Sequence, residues 1–372
     1  MKTRAALLMR QPGEYEIHEV DLDGPGPHEV LVRMVASGLC HSDDHPAKGD
    51  TPMQHLPVCG GHEGAGVIEA VGPGVQGLEV GDHIVTSFIP SCGRCAFCAR
   101  GQHTLCQNGA LLMTGAMLDG TFRMHLDGTP VGQQSVLGTF SEFITVSQWS
   151  CVKIDKRFPL RAAALLGCGV PTGWGSAVNG AKVRPGDVVI VVGTGGVGIN
   201  AVQGAAHAGA RRVIAVDPHE LKRDTALKLG ATDAFATIGE ATELAMSLTN
   251  GQGADSAIVA VAVLTGEDVA NAFDAVRKDG TVVVTSVSRA DAVGIPVSLM
   301  MLTMYQKRIQ GALYGMMSPA GDVPKLLEMY EQGQLKLDEL ITGSYTLDEV
   351  NKGFADMHAG RVMRPMIDFA SA

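Results

Sequence analysis

One stretch in the second half of the chain restricts the fold more than any other. A continuous β-branched run, Val188 to Val192, leads directly into the glycine-rich loop Gly193 to Gly198. A helical stretch to about Ala208 and a second apolar strand, Val213 to Val216, follow. Unbroken apolar strands are typical of parallel sheets that are covered on both faces. This stretch therefore predicts a βαβ unit.

The alternation of strands and helices continues beyond this unit. Strands are predicted at Ser256–Val263 and Thr281–Thr285, with a helix between them at Gly266–Arg277. Such alternation is typical of an open parallel sheet with helices on both faces. We therefore predict a six-stranded doubly wound α/β domain.

The glycine-rich loop also predicts a dinucleotide site. Gly193, Gly195 and Gly198 form a G-x-G-x-x-G pattern between a strand and a helix, where a pyrophosphate can approach the backbone closely. Asp217 follows the last glycine by nineteen residues and can bind the adenosine ribose hydroxyls. A carboxylate there would repel a 2′-phosphate, so the sequence favours NAD over NADP. An ordinary βαβ turn is the alternative.

The N-terminal part differs in pattern, since short apolar segments alternate with Gly/Pro turns. Strands are predicted at residues 5–9, 14–20, 29–36, 65–71 and 83–88, which indicates a β-rich unit. With 372 residues the chain is long enough for two domains. A helix at 323–332 and a mixed C-terminal tail are expected to rejoin this first unit.

Four closely spaced cysteines follow the N-terminal strands. They are Cys92, Cys95, Cys98 and Cys106. Four thiolates can surround one tetrahedral ion and leave no position open, which indicates a structural zinc site. Disulfides are the alternative. An iron–sulfur electron carrier shares the C-x2-C-x2-C spacing, but its next cysteine usually follows after three residues and precedes proline. Here seven residues intervene and Gln107 follows, so zinc is favoured.

A second concentration of reactive groups lies at Gly38 to His45. These eight residues contain a thiol, a hydroxyl, two carboxylates and two imidazoles, more than a structural segment needs. Asp43 and Asp44 predict a short helix through His45 to Lys48. His62 and Cys168 are further ligand-type residues in glycine-rich surroundings. Spacing alone does not connect them, because a turn histidine and a buried small thiol remain open as alternatives.

Composition limits the classes of partner. The chain has 39 acidic and 29 basic residues and no Lys/Arg run, so nucleic acid and anionic membranes are not expected partners. The apolar run after Arg4 is too short for a signal peptide, and the longest later run, Ala257 to Leu264, is far below the about 20 residues of a membrane span. We expect a cytoplasmic protein that acts on small molecules.

Taken in order, these motifs resemble the zinc-dependent medium-chain alcohol dehydrogenases over almost the whole chain. The residues that carry the resemblance are Cys40, His62-Glu63, the four clustered cysteines, Cys168, the loop Gly193 to Gly198 and Asp217. The resemblance implies a GroES-like β-rich catalytic domain at residues 1–169, rejoined by 314–372, and a Rossmann NAD-binding domain at 170–313. It implies hydride transfer between a primary alcohol or aldehyde and NAD.

The resemblance also implies roles for single residues. Cys40, His62 and Cys168 are the expected ligands of a catalytic zinc ion, and the four clustered cysteines those of a structural zinc ion, so that zinc (two per chain) and NAD(H) are the cofactors. Asp43 is expected to orient His62, and Glu63 to be the acid behind the metal. Ser42 is expected to take the substrate proton, and His45 to pass it to solvent.

Further roles concern the cofactor and the substrate. Cofactor contacts are expected at His41, Thr172, Gly193, Gly195, Gly196, Val197, Gly198, Asp217, Lys222 and Arg364. Phe88, Val136 and Leu137 suggest an apolar pocket for a small or medium alcohol. Association as a homodimer or homotetramer is expected through the strand near residues 308–314.

Within the family, three segments resemble the actinobacterial NDMA-dependent, mycofactocin-associated nicotinoproteins. They are Gly167–Ser176, Gly198–Gly204 and Gln334–Leu340. Those enzymes hold NAD(H) tightly and pass electrons to a dye or to mycofactocin. The alternative is S-(hydroxymethyl)glutathione/formaldehyde dehydrogenase, which also has His at the position of His41. That branch typically has Arg four residues after the last structural cysteine, where this chain has Ala110.

Overall fold

The structure, a computed structural model, describes residues 1–369 and divides the chain into two compact units. Unit 1 contains Met1–Cys168 and the chain from Ser318 onward, and unit 2 contains Gly169–Met317. The predicted breaks after residues 169 and 313 lie close to these divisions. Within residues 1–369, no helix combines the length and the apolar character needed to cross a bilayer.

The strands and helices are as follows. The strands are β1 (Lys2–Leu8), β2 (Tyr15–Leu22), β3 (Glu29–Gly38), β4 (Val58–Cys59), β5 (Glu63–Val71), β6 (His83–Thr86), β7 (Met124–Leu126), β8 (Thr129–Gln133), β9 (Phe143–Ser147), β10 (Cys151–Ile154), β11 (Val188–Val192), β12 (Arg212–Val216), β13 (Asp233–Phe235), β14 (Ala254–Val259), β15 (Val276–Val284), β16 (Arg308–Gly311), β17 (Ile341–Tyr345) and β18 (Arg364–Asp368). The helices are α1 (His41–Lys48), α2 (Leu160–Ala163), α3 (Gly169–Gly175), α4 (Gly198–His207), α5 (Glu220–Lys228), α6 (Ile238–Leu248), α7 (Gly266–Ala275), α8 (Leu299–Met304), α9 (Pro319–Glu331) and α10 (Val350–His358).

Unit 1 is β-rich, as the sequence predicts, and its strands pair mainly in the antiparallel direction. A closed barrel has the order β1-β2-β7-β8-β4, and a seven-stranded sheet has the order β10-β6-β5-β3-β18-β17, with β9 also paired to β3. On β3, the alternate residues Val30, Val32 and Met34 are buried in one apolar core, as the two-residue period of a strand requires. Gly38 at the end of β3 pairs with Glu63 at the start of β5. This pairing brings the segment after Gly38, which contains Cys40, beside the segment before Glu63, which contains His62.

Helix α1 begins earlier than predicted. The sequence predicts a start near Asp43, but the helix begins at His41 with Cys40 as the N-cap residue. The Asp43 carboxylate accepts a hydrogen bond from the backbone N–H of Cys40 at 3.1 Å, so Asp43 acts from the third helical position. Ser42 therefore lies inside the first turn. Gly49 ends the helix in the left-handed conformation, with φ of 82°.

Unit 2 contains the predicted six-stranded parallel sheet. Its order is β13-β12-β11-β14-β15-β16, which is the 3-2-1-4-5-6 order of the Rossmann fold. The fold class is therefore confirmed for this unit. The predicted strand at 256–263 and helix at 266–277 are each too long at the C-terminal end: β14 ends at Val259, and α7 ends at Ala275 because β15 begins at Val276.

The apolar core of unit 2 consists mainly of Val, Ile and Ala side chains packed with Phe273. Phe273 on α7 is fully buried in the cluster formed with Val188, Ile190 and Val259. We expect Phe273→Ala to lower the free energy of unfolding by about 3–5 kcal/mol, through lost burial and the cavity left behind. Urea unfolding of the purified chain measures this. Leu221→Ala, at a side chain that is 46% exposed in the same unit, is the control and should change stability by less than about 0.5 kcal/mol.

Candidate functional site

Three ligand-type residues of unit 1 come together in the structure. Cys40 directly precedes α1, His62 directly precedes β5, and Cys168 ends the first segment of the unit. Their ligand atoms all lie within 4.8 Å of one another, and all three residues are buried. Gly167 permits this approach, because a Cβ there would lie 3.2 Å from the Glu63 Cα and 3.1 Å from the Thr86 carbonyl oxygen.

Asp43 determines how His62 faces this cluster. Its Oδ1 lies 2.5 Å from His62 Nδ1, and its Oδ2 accepts from the Cys40 backbone. Because the Asp43 carboxylate accepts a hydrogen bond at Nδ1, that nitrogen must carry a proton. A neutral His62 ring therefore has its lone pair on Nε2. The Nε2 atom is buried and has no hydrogen-bond partner among the described residues. An imidazole nitrogen held in this way fits a metal ion.

The pKa values in the cluster follow from burial and charge. Burial raises the pKa of Asp43 above its usual range, against the opposing effect of His62. Burial alone would lower the pKa of His62, but the charge and hydrogen bond of Asp43 outweigh it and raise the pKa well above its usual value. The hydrogen bond from Cys168 lowers the pKa of Cys40, and the same bond raises the pKa of Cys168. The pKa values of the two thiols are thus shifted in opposite directions.

A buried ion pair adjoins the cluster. Glu63 is fully buried and pairs with the guanidinium of Arg364, which is 4% exposed. Burial alone would lower the pKa of the Arg364 guanidinium. The negative charges of Glu63 and of the nearby Cys40 and Cys168 outweigh this effect and raise that pKa. The sequence analysis assigned Arg364 to the cofactor and did not foresee this partner. Its cofactor contact stays a prediction.

The remaining residues of α1 occupy different environments. Ser42 and His41 are half-buried, and the His41 ring lies 6.1 Å from the ring of His358. His45 is buried, and its Nδ1 lies 3.2 Å from an oxygen of Asp50. A carboxylate in the first turn of a helix is usually solvated, but Asp44 is not. Asp44 is buried and contacts Lys48 at 2.7 Å and His358 at 2.9 Å.

The predicted substrate contacts differ in their surroundings. The Phe88 ring stands edge-on to His62, with ring centroids 5.6 Å apart. Val136 and Leu137 have no exposed surface, and Leu137 packs in the apolar core of unit 1. These two side chains are thus enclosed by the protein, and their contact with a substrate stays a prediction. Phe88 remains the candidate.

The four clustered cysteines also converge. The Sγ atoms of Cys92, Cys95, Cys98 and Cys106 all lie within 4.8 Å of one another, and those of Cys95 and Cys106 are 4.0 Å apart. Zinc–sulfur bonds of about 2.3 Å place tetrahedral thiolates about 3.8 Å apart. Backbone N–H groups stabilise the charged form, and hydrogen bonds from the Cys98 backbone and its neighbours lower the pKa of Cys95 to about 6. The cluster therefore fits one ion.

The glycine-rich loop of unit 2 lies at the carboxyl end of β11. Gly193 has φ of 81°, which favours glycine, and a Cβ at Gly195 would meet nothing nearer than Lys222 Nζ at 3.9 Å. Asp217 follows β12 and accepts a hydrogen bond from the Thr194 backbone at 2.9 Å, and Lys222 Nζ lies 4.0 Å from its carboxylate. The loop, Asp217 and Lys222 are thus adjacent at the edge where doubly wound sheets bind dinucleotides.

The last predicted cofactor residues form the start of helices. Val197 precedes α4 as its N-cap residue, Gly196 belongs to the same loop, and α4 begins at Gly198. Thr172 lies in α3, where its carbonyl oxygen accepts a hydrogen bond from the Ser176 hydroxyl at 2.7 Å.

Gln134 is a residue of the site that sequence reasoning missed. Its side-chain amide donates to Asp43 Oδ1 and to the Ser42 carbonyl oxygen. No pattern in the sequence indicated this residue.

Comparisons with known proteins agree with this geometry. The model of the alcohol dehydrogenase GroES-like domain matches residues 26–156, and that of the zinc-binding dehydrogenases matches residues 196–332. An NDMA-dependent alcohol dehydrogenase of Amycolatopsis methanolica is 49% identical over 367 residues, which is 99% of each chain. The chain belongs to the zinc-dependent alcohol dehydrogenases.

Solved structures of related enzymes share the whole fold. An alcohol dehydrogenase zinc-binding domain protein from Burkholderia ambifaria aligns with a TM-score of 0.92 at 31% identity, covering 100% of both chains. Benzyl alcohol dehydrogenase from Acinetobacter calcoaceticus aligns with a TM-score of 0.92 at 29% identity, again over 100% of both. These findings confirm the predicted GroES-like and Rossmann fold class, the alcohol dehydrogenase activity and the cofactors zinc and NAD(H).

The buried ion pair of this alcohol dehydrogenase gives a stability prediction. Glu63→Gln leaves the buried Arg364 without its carboxylate, so we expect a loss of about 3–5 kcal/mol in the free energy of unfolding. The control is Glu69→Gln, which removes the partly exposed pair with Arg33 and should cost less than about 1 kcal/mol. Urea unfolding of both variants measures the difference. Equal losses in the free energy of unfolding would show that the buried Glu63–Arg364 pair stabilises the fold no more than the partly exposed pair does.

Proposed function

We propose that Cys40, His62 and Cys168 hold the catalytic zinc ion. The observation that carries this proposal is the buried Nε2 atom of His62, which has no partner among the described residues and lies within 4.8 Å of both thiols. Three protein ligands leave a fourth position for a substrate oxygen. Asp43 holds the imidazole ring in the orientation that presents Nε2.

The four clustered cysteines hold the structural zinc ion in this proposal. Four ligands close a tetrahedral site, so the ion contributes to folding rather than to chemistry. An iron–sulfur cluster would distribute the four thiolates over two or four iron atoms, so that not all four would lie close together. All four sulfurs lie within 4.8 Å of one another, which supports a single ion.

Alcohol oxidation needs a proton acceptor and a hydride acceptor. Bound zinc supplies Lewis-acid stabilisation of the alkoxide form of the alcohol. Ser42, half-buried in the first turn of α1, is the proposed acceptor of the alcohol proton, and buried His45 passes the proton on. Asp50, 3.2 Å from His45 Nδ1, is the neighbour that orients this imidazole. Phe88 forms part of an apolar pocket for a primary alcohol or aldehyde.

NAD binds at the glycine-rich loop of unit 2 in this proposal. The unobstructed backbone at Gly195 suits the pyrophosphate, and the Asp217 carboxylate suits the adenosine ribose hydroxyls with Lys222 beside it. His41, Thr172 and Arg364 are the further proposed contacts, together with Gly193, Gly196, Val197 and Gly198. The acid at 217 favours NAD over NADP for electrostatic reasons.

We further propose that NAD(H) is retained and reoxidised in place by an external acceptor such as mycofactocin. The 49% identity with an NDMA-dependent alcohol dehydrogenase supports this subtype. The glutathione-dependent formaldehyde branch has less support, because Ala110 occupies the position of its arginine.

The final proposals concern assembly and compartment. Strand β16 ends the sheet of unit 2, and the neighbouring α8 exposes Leu299, Met300 and Met304 by 71–75%, which suits association of two or four copies. All eight cysteines are free thiols, which suits a reducing cytoplasm.

Replacing Ser42 tests the proton transfer. We expect Ser42→Ala to lower kcat about 10²–10⁴-fold, because general acid–base catalysis contributes on this scale, while both zinc ions remain. Turnover with a primary alcohol and zinc content by atomic absorption are the measurements. Ser247→Ala, an exposed hydroxyl on α6, is the matched control and should turn over normally. Normal turnover of Ser42→Ala would exclude this hydroxyl from the reaction.

Cofactor retention is tested on the purified protein. After extensive dialysis and denaturation, we expect the supernatant to contain about one NAD(H) and two zinc ions per chain, since a retained nicotinamide survives dialysis. An enzymatic cycling assay measures NAD(H). A dialysed protein that carries no nicotinamide, but turns over once NAD is added, would be an ordinary exchanging dehydrogenase.

A further inference from the structure

We propose that Gln134 is a positioning residue of the metal cluster, whose side-chain amide fixes Asp43 and thereby the orientation of His62. The inference rests on the proposed catalytic zinc site and extends it to a residue that binds neither metal nor cofactor. Gln134 follows β8 and is 5% exposed. It lies more than seventy residues from either His62 or Asp43 in sequence.

The amide of Gln134 makes two hydrogen bonds to α1. Its Nε2 donates to Asp43 Oδ1 at 3.1 Å and to the Ser42 carbonyl oxygen at 3.1 Å. Both partners can only accept, since one is a carboxylate beside a histidine N–H and the other is a carbonyl. The NH2 group must therefore face them, and both of its hydrogens are used. The geometry thus determines the orientation of the amide.

The carboxylate of Asp43 depends on few donors. Oδ2 accepts from the Cys40 backbone at 3.1 Å, and Oδ1 accepts from His62 Nδ1 at 2.5 Å and from Gln134. Without Gln134, the imidazole alone would hold Oδ1, so carboxylate and ring could turn together about the remaining bond to Cys40. A buried carboxylate that loses one of three donors also loses much of the compensation for its desolvation.

The second bond of Gln134 concerns the proposed proton acceptor. The carbonyl group of Ser42 belongs to the first turn of α1, and the bond from Gln134 holds this turn from outside the helix. One side chain therefore contacts both the carboxylate that orients His62 and the residue proposed to accept the alcohol proton. Loss of the amide should affect metal retention and turnover together.

The backbone beside Gln134 is held in an unusual conformation. Ser135 and Val136 have φ of 56° and 61°, a left-handed region that is costly for a β-branched residue such as valine. The turn is closed by Leu137 and Gly138, whose N–H groups donate to the Gln134 carbonyl oxygen at 3.0 and 3.1 Å. This turn anchors the Gln134 main chain while its side chain reaches α1.

The adjacent glutamine provides a matched control. Gln133 is 1% exposed, and its Nε2 donates to the carbonyl oxygens of Leu137 and Thr145 at 2.9 and 3.1 Å. It supports the same turn, but none of its hydrogen bonds reaches Asp43 or Ser42. The pair Gln133→Met and Gln134→Met therefore separates general support of the turn from an effect on the metal cluster.

The test measures how fast the purified holoenzyme loses zinc to excess chelator. Methionine preserves the length of the side chain and removes the amide. Because partners of metal ligands affect metal affinity about 10- to 100-fold, we expect Gln134→Met to release one of its two zinc ions about 10- to 100-fold faster than wild type. Gln133→Met should release zinc at the wild-type rate. Equal acceleration in both variants would overturn the proposal.

Two further variants make the test specific. Gln134→Glu keeps the size of the side chain but places a carboxylate against Asp43, so it should release zinc at least as fast as Gln134→Met. Wild-type release from this variant would overturn the proposal even if Gln134→Met did not fold. When combined with Asp43→Asn, Gln134→Met should add little to the release rate, because both changes act on one group. Additive effects would show that Gln134 does not act through Asp43.

Cys40→Ala distinguishes this inference from the proposed zinc site itself. If Cys40→Ala holds a single zinc ion while Gln134→Met keeps both as firmly as wild type, the zinc site stands and the inference about Gln134 fails. If Cys40→Ala still holds two zinc ions, the proposed site is wrong, and the inference fails with it.

Discussion

The hydrogen bond between Asp43 and His62 is the interaction on which the reactive part of unit 1 depends. A fully buried carboxylate is costly, and this one is stabilised by the imidazole, by the Cys40 backbone and by Gln134. The same bonds define the first turn of α1 and the direction of His62 Nε2. Three segments that are distant in sequence therefore meet at the Asp43 carboxylate. They are the end of β3, the start of β5 and the turn after β8.

The charges around this bond would suit a divalent cation, as the proposed zinc site requires. Two thiols and the carboxylates of Asp43 and Glu63 are buried together, and Arg364 offsets only one of these groups directly. The hydrogen bond with Cys40, burial and the nearby charges of Cys40 and Glu63 raise the pKa of Cys168, so a second thiolate is disfavoured. A dication between the sulfurs and His62 would allow both thiols to ionise. Metal binding at this proposed site would therefore be coupled to the ordering of this region.

The sequence predicted the fold well because its signals are local. The β-branched run at Val188–Val192 and the glycine loop that follows are sufficient to define the βαβ unit. Residue environments that depend on distant partners were not predictable. Asp44 is buried against His358, 314 residues away, and no local pattern indicates that contact. Similarly, the sequence suggests Leu137 only as an apolar pocket residue, and its complete burial depends on packing that no local pattern shows. The start of α1 was missed because cysteine is not a favoured N-cap residue.

The two cysteine-containing sites show how ligand number separates structure from chemistry within one family. The four clustered cysteines include two that are partly exposed, and backbone N–H groups share in stabilising their charge. An ion at such a site would have all four of its ligands from the protein and would only hold the chain together. Cys40, His62 and Cys168 are all buried and provide one ligand fewer, so an ion held by them would keep a fourth position open to an oxygen from outside the protein. Because that last ligand would change during turnover, the three proposed protein ligands would need external supports that a closed site does not. Asp43 and Gln134 are placed to be those supports.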